Sequence, residues 1–249
     1  MVGLKRVKTG IKGFDELING GIPAGFNVLI TGSPGTGKTI FGLQYLYNGA
    51  LAGDPGVFVS LESSAESLKS QASEFGWDLS KLEKSNKLII LKVPTNKSDY
   101  NIFEVIEKSI KKINAKRLVF DSLISFSINF DQFKIPLDYD VSQEVKQLLG
   151  EQATVFYKGN SKERITYLLL NKLLEFGTTN IIITASDENK IVMTADGVSE
   201  YASDGLIFLH SVEGDEDFNT LNVVKLRLSK INRGIYNFTF SPDGIKIKK

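Results

Sequence analysis

The sequence predicts an α/β fold: a mostly parallel central sheet flanked by helices, with antiparallel strands at the C-terminal end. Three observations predict it. Up to residue 185, short runs of β-branched and aromatic residues alternate with longer segments of helical period, as expected where helices cover a parallel sheet. Several of these short runs are apolar on both faces, as strands buried on both sides are. Beyond residue 185, three further runs follow one another with no helical segment between them, so the sheet is expected to finish antiparallel.

Taken in order, the parallel strands are expected at residues 26–31, 57–61, 88–91, 117–121 and 180–185. Between them, Ile102, Val105, Ile106, Ile110 and Ile113 share one helical face, and Ile165, Leu168, Leu169, Leu173 and Phe176 repeat that spacing, so each helix turns one face to the sheet. The late strands are expected at 206–210, 221–227 and 235–240. Residues 127–161 break the rhythm, with no single period around Pro136, Asp138, Tyr139, Asp140, Lys158, Gly159 and Asn160. They read as an insertion, helical in part around 142–149, and connections of this length are commonly functional. No internal repeat or low-complexity tract is present, so residues 1–249 are expected to form one domain.

Directly after the first strand comes Gly32-Ser33-Pro34-Gly35-Thr36-Gly37-Lys38-Thr39, a full match to the G-x-x-x-x-G-K-[ST] phosphate loop, or Walker A motif. Glycines at 32, 35 and 37 let the backbone wrap a phosphate chain with its N–H groups turned inward. The helix that begins near Lys38 and runs through Ile40 directs its positive end at the same anion. Lys38 is expected to reach the β- and γ-phosphates of ATP, and the Thr39 hydroxyl to complete the coordination of Mg²⁺. Leu43, Leu46, Tyr47 and Ala50 recur at helical spacing, which supplies the strand–loop–helix context the motif requires.

The run Arg117-Leu118-Val119-Phe120-Asp121 has the form of a Walker B strand. An aspartate at its end can accept hydrogen bonds from metal-bound water, although a strand-end aspartate also serves as a helix cap. Glu62 ends the strand 57–61, where ligands collect in a parallel sheet, and a carboxylate there can activate water. Its alternative is a cap or surface carboxylate for a helix over 63–73.

Composition removes other chemistries. The chain has no cysteine and one histidine, which excludes thiolate metal sites, cysteine nucleophiles, histidine-rich metal sites and a serine–histidine–aspartate triad. Thirty basic against 29 acidic residues leave a formal charge of +1, so any nucleic-acid surface must be local. No run approaches the ~18 apolar residues of a membrane span, and the protein reads as soluble and cytoplasmic. The basic stretch Lys108, Lys111, Lys112, Lys116 and Arg117 reads as the wet face of a helix and its exit, and His210 as an ordinary strand-end residue.

Along nearly its whole length the chain resembles the KaiC-like branch of the RecA superfamily. The resemblance rests on Thr9-Gly10-Ile11-Lys12-Gly13-Phe14-Asp15-Glu16-Leu17 with Gly20-Gly21-Ile22-Pro23, on Phe75-Gly76-Trp77-Asp78-Leu79, on Asp121-Ser122, and on Val224-Lys225-Leu226-Arg227 with Arg233-Gly234. It implies a RecA-like P-loop NTPase fold, ATP with Mg²⁺, and homo-oligomeric rings, commonly hexamers, with nucleotide held between subunits. It also places Glu62 as the catalytic glutamate, and Lys225 and Arg227 as cations that reach a neighbour's γ-phosphate; their alternative is two solvated positions on an edge strand. Two departures stand out. Ser63 follows Glu62 where KaiC carries a second glutamate, which implies slow or substrate-dependent hydrolysis. A tandem ATPase architecture with a phosphorylated tail does not fit this length, so no circadian role follows.

The function expected is a ring-forming, nucleotide-driven switch with Mg²⁺-dependent ATPase activity, read by a protein partner. One alternative is a single-stranded DNA-binding recombination modulator similar to the RadA paralogues, using loops 122–161 and 186–201. The first loop offers Phe126, Phe130, Phe133, Tyr139, Phe156 and Tyr157 for base stacking with Lys158 and Lys162 for phosphates, but it also holds Asp131, Asp138, Asp140, Glu144 and Glu151. The second loop is acidic, which favours a protein partner. The other alternative is an ATP-sensing scaffold that hydrolyses little.

Overall fold

The computed structural model describes residues 4–94, 100–134, 162–186, 194–212 and 218–248. Nine strands form one sheet in the order β11-β10-β9-β8-β3-β7-β6-β4-β5. Its parallel part comprises β3 (Asn27–Gly32), β4 (Gly56–Ser60), β5 (Leu88–Lys92), β6 (Arg117–Asp121), β7 (Thr179–Ile183) and β8 (Gly205–Val212). The chain then turns back through β9 (Phe218–Leu226), β10 (Tyr236–Ser241) and β11 (Gly244–Ile247), each antiparallel to its predecessor. Each predicted strand forms, within a few residues of its expected bounds.

Successive strand residues point to opposite faces, and the core divides accordingly. Val28, Ile30, Phe58, Val119, Ile181 and Ile183 pack on one side. Leu29, Val57, Val59, Leu118, Phe120 and Ile182 pack on the other. The first side is covered by α1 (Phe14–Leu17), α2 (Lys38–Leu51), α3 (Ala65–Ser73) and α4 (Leu79–Lys84). The second is covered by α5 (Ile102–Ile113), α6 (Leu123–Ile128) and α7 (Lys162–Glu175), with α8 (Ser199–Ala202) ahead of β8. Both predicted helical faces are the buried ones: Ile102, Ile106, Ile110 and Ile113 of α5, and Ile165, Leu168, Leu169 and Leu173 of α7, lie in this second core.

Elements below the reach of periodicity also appear. A ribbon pairs β1 (Arg6–Val7) with β2 (Ile22–Pro23), two residues each. The Arg6 guanidinium ties it down by donating to the carbonyls of Gly21 and Leu228, both at 2.9 Å. The start of the expected insertion belongs to the fold: α6 runs to Ile128, a 3₁₀ turn spans Phe130–Gln132, and Phe133 bridges to Tyr100. Residues 135–161, with the helix expected at 142–149, lie outside the described residues. On α5, Lys108 pairs with Glu104 and Lys111 with Glu107, one helical turn apart, as a solvated face would.

Candidate nucleotide site

The site lies at the carboxyl ends of the parallel strands. β3 runs into Gly32 and α2 starts at Lys38, with Pro34 and Gly35 exposed at the tip of the loop between them and Thr36 buried beneath. Gly32 has φ 149°, and a Cβ there would stand 2.1 Å from the Leu209 carbonyl oxygen, so no other residue fits. Gly37, at φ 88°, precedes α2 and offers no side-chain cap. The N–H groups of Lys38, Thr39 and Ile40 open the helix and have no intrahelical acceptor, which suits them to an external anion. The loop closes on itself as the Thr36 hydroxyl donates to the Ser33 carbonyl at 2.9 Å. The Lys38 ammonium donates to the carbonyls of Gly32 at 2.8 Å and Ser33 at 2.6 Å. Burial lowers its pKa, against the raising fields of Asp121 and Glu62.

Across the sheet, the Thr39 hydroxyl donates to Asp121 Oδ2 at 3.0 Å. Asp121 is 3% exposed, and burial pushes its carboxyl up to about 6, with the Thr39 hydrogen bond opposing and the field of Glu62 reinforcing. The helix-cap alternative for Asp121 does not apply, because the Ser122 hydroxyl caps α6 by accepting from the Ser125 N–H. Among the described residues, no three acidic or histidine side chains converge as a metal site. A hydroxyl beside one carboxylate instead suits a hard cation such as Mg²⁺ that arrives with its phosphates.

Glu62 lies within the turn after β4, where the Ser60 hydroxyl donates to the Ser63 carbonyl at 2.7 Å and accepts from the Ser63 N–H at 3.0 Å. It does not cap α3, whose cap is Ser64. Its Oε1 accepts from the hydroxyls of Ser122 and Ser125, the latter at 2.7 Å. Neither serine hydroxyl was expected here, because the partners lie 60 and 63 residues apart and only the adjacency of β4 and β6 brings them together. Sequence reading also missed Lys92, whose ammonium donates to the Leu61 carbonyl at 2.9 Å, and Phe240, whose ring lies so close that a Cβ on Gly37 would meet it at 2.5 Å. The sequence carries no local signal for either.

Lys225 and Arg227 lie elsewhere. Lys225 pairs with Leu206, whereas Gly32 pairs with Leu209, so Lys225 is three strand residues, roughly 10 Å, below the level of the phosphate loop. Its ammonium donates to the Glu200 carbonyl at 2.6 Å, and Arg227 Nη2 donates to the Tyr201 carbonyl at 3.2 Å. β9 lies between β8 and β10 in the sheet order, but β10 pairs with it only over Asn219–Leu221, so Lys225 sits on a stretch of β9 paired with β8 alone, and Arg227 follows the end of the strand. The stacking role considered for Phe126 and Phe133 fails, because both are buried, at 0% and 7% exposure, and stack on each other at 5.5 Å. Tyr139, Phe156, Tyr157 and Lys158 lie outside the described residues. No helix among the described residues is long and apolar enough to cross a membrane.

A glycine-rich loop between β3 and α2, with a lysine, a threonine and a strand-end aspartate converging on it, defines a P-loop nucleotide-binding protein. The profile of the KaiC ATPase family matches residues 7–136 and 152–249. The circadian clock oscillator protein KaiC of Synechococcus elongatus is 33% identical over 98% of this chain, and that of Prochlorococcus marinus subsp. pastoris 32% identical over 97%. The chain spans 44% and 45% of the length of these two relatives. The crystal structure of a KaiC-like protein from Pyrococcus horikoshii OT3 is 35% identical, with a TM-score of 0.78 over 99% of this chain and 100% of that one. The chain belongs to the KaiC ATPase family, within the RecA superfamily of P-loop ATPases.

Proposed function

We propose that residues 1–249 act as one Mg²⁺-dependent ATPase unit that assembles into rings, and that nucleotide turnover switches a conformation read by a protein partner. The observation that carries this reading is the Thr39–Asp121 hydrogen bond of 3.0 Å beside the phosphate loop. Thr39 and Asp121 are the residues that would hold Mg²⁺ brought in with the nucleotide. Mg²⁺ bound there would neutralise charge on the phosphates. The loop N–H groups and Lys38 hold the phosphate chain, and the exposed ring of Phe240 offers the base an apolar face. Glu62 takes the proton of the attacking water as general base. Lys225 and Arg227, too far down the sheet to serve their own loop, stabilise the transferring phosphoryl group of a neighbour.

The test is Mg²⁺-ATP turnover and ATP binding of the Glu62→Gln protein. Retained binding with turnover reduced at least ~100-fold, the scale of general-base catalysis, is the expected result. Unchanged turnover would remove Glu62 as the base. Stimulation of the parent protein by single-stranded DNA would favour the recombination-related function, and ATP binding without turnover in the parent would favour a nucleotide sensor.

A further inference from the structure

The base reading of Glu62 leaves open what aims its carboxylate, because Glu62 itself is exposed and its backbone belongs to a turn. A free glutamate side chain there would sample several rotamers. In the structure one oxygen, Oε1, accepts from two hydroxyls, those of Ser122 and Ser125. Hydrogen bonds to an ionised acceptor are stronger than neutral ones, and two donors on one oxygen leave Oε2 as the oxygen turned to other partners.

The two donors stand on a rigid support. Ser122 caps α6, and Ser125 occupies its first turn, with its N–H donating to Ser122 Oγ at 3.3 Å. The next residue, Phe126, is fully buried, edge-on to Phe120 at 5.7 Å and stacked on Phe133 at 5.5 Å. That packing fixes the rotation of α6 about its axis, and with it the position of the Ser125 hydroxyl. The cap of α6 is made by the Ser122 oxygen and the Ser125 N–H; the Ser125 hydroxyl accepts from Ser122 Oγ at a long 3.4 Å and donates to Glu62 at the surface at 2.7 Å.

We infer that Ser125 is a positioning residue for hydrolysis: it holds Glu62 Oε1, so that Oε2 faces the attacking water, and it ties the aim of the base to α6. The inference rests on Glu62 being the base. Its effect passes through the Glu62 carboxylate, to which its hydroxyl donates at 2.7 Å. Since α6 leads into the segment after residue 128, a partner that displaced this helix would alter turnover without touching the phosphate loop.

The experiment compares Ser125→Ala, Ser125→Thr and Glu62→Gln with the parent in steady-state Mg²⁺-ATP hydrolysis, in binding of a non-hydrolysable ATP analogue and in thermal unfolding. Ser125 is chosen over Ser122 because removing the cap would weaken α6 itself. Ser125→Ala should lower kcat about tenfold, the scale of one lost charge-assisted hydrogen bond, with KM, analogue affinity and Tm unchanged. Ser125→Thr, which keeps the hydroxyl, should recover most of that loss. Parental kcat in Ser125→Ala would overturn the inference. So would a lost kcat accompanied by a lower Tm and weaker analogue binding, or one that Thr does not restore, since either marks a structural role. A parent without turnover, or a Glu62→Gln protein that keeps it, removes the base reading and this inference with it. A dead Glu62→Gln beside an unimpaired Ser125→Ala removes this inference alone.

Discussion

Asp121 shows how much one buried residue sets the behaviour of the site. Burial raises its carboxyl from 3.8 to about 6, so the native state binds a proton more tightly than the unfolded chain does. Between those two pH values the native protein holds the extra proton, and stability falls as pH rises through the window. Above it, ionised Asp121 costs about 3 kcal/mol, the free-energy equivalent of the shift. Asp121→Asn is therefore expected to stabilise the nucleotide-free protein at pH 8 by up to about 3 kcal/mol in urea unfolding, and to flatten the slope between pH 4 and 6. It should also abolish the Mg²⁺-dependent part of ATP binding. A variant less stable than the parent at pH 8 would show that the Thr39 hydrogen bond outweighs burial.

At the scale of elements, the placement of the phosphate loop depends on how closely α2 lies on the sheet. A Cβ on Gly42 would meet Val119 Cγ1 at 2.9 Å, and one on Gly49 would meet the Arg117 side chain at 2.4 Å. Arg117 is 2% exposed, donates to the Tyr45 carbonyl at 2.9 Å and pairs with Asp54 at 2.9 Å, so it has little room to yield. Helix propensity alone would make Gly49→Ala stabilising by about 1 kcal/mol. Overpacking against Arg117 is expected to reverse the sign, giving a net loss of about 1–3 kcal/mol in chemical denaturation; a net gain would mean that Arg117 moves aside freely. Much of this architecture is legible in the sequence, because apolar runs such as Leu118-Val119-Phe120 and the facing isoleucines of α5 announce buried strands and an amphipathic helix. The phosphate loop, Thr39 and Asp121 are legible because their chemistry fixes residue type and spacing. The two-residue strands β1 and β2 carry too little periodicity to be seen, and β11, opening on Gly244, reads as a tail. The Ser125–Glu62 contact and the bonds from Lys225 and Arg227 to α8 depend on strand order and on loop paths, which no local pattern encodes.

For the molecule as a whole, the assembly part of the proposal turns on where two cations lie. Lys225 and Arg227 rest against the carbonyls of Glu200 and Tyr201, at the end of the sheet away from their own loop. Exposed apolar side chains stand beside them, Leu228 at 72% and Tyr201 at 66%. The chain covers less than half the length of the KaiC relatives it matches. The most direct test is the Mg²⁺-ATP turnover of a mixture of two inactive variants, Lys38→Ala, which keeps the cations, and Lys225→Ala/Arg227→Ala, which keeps the phosphate loop. If the cations serve a neighbour, each variant alone should be nearly silent and the mixture should recover a substantial fraction of parental turnover. A mixture as silent as its parts, or a double cation variant that is fully active alone, would contradict the account.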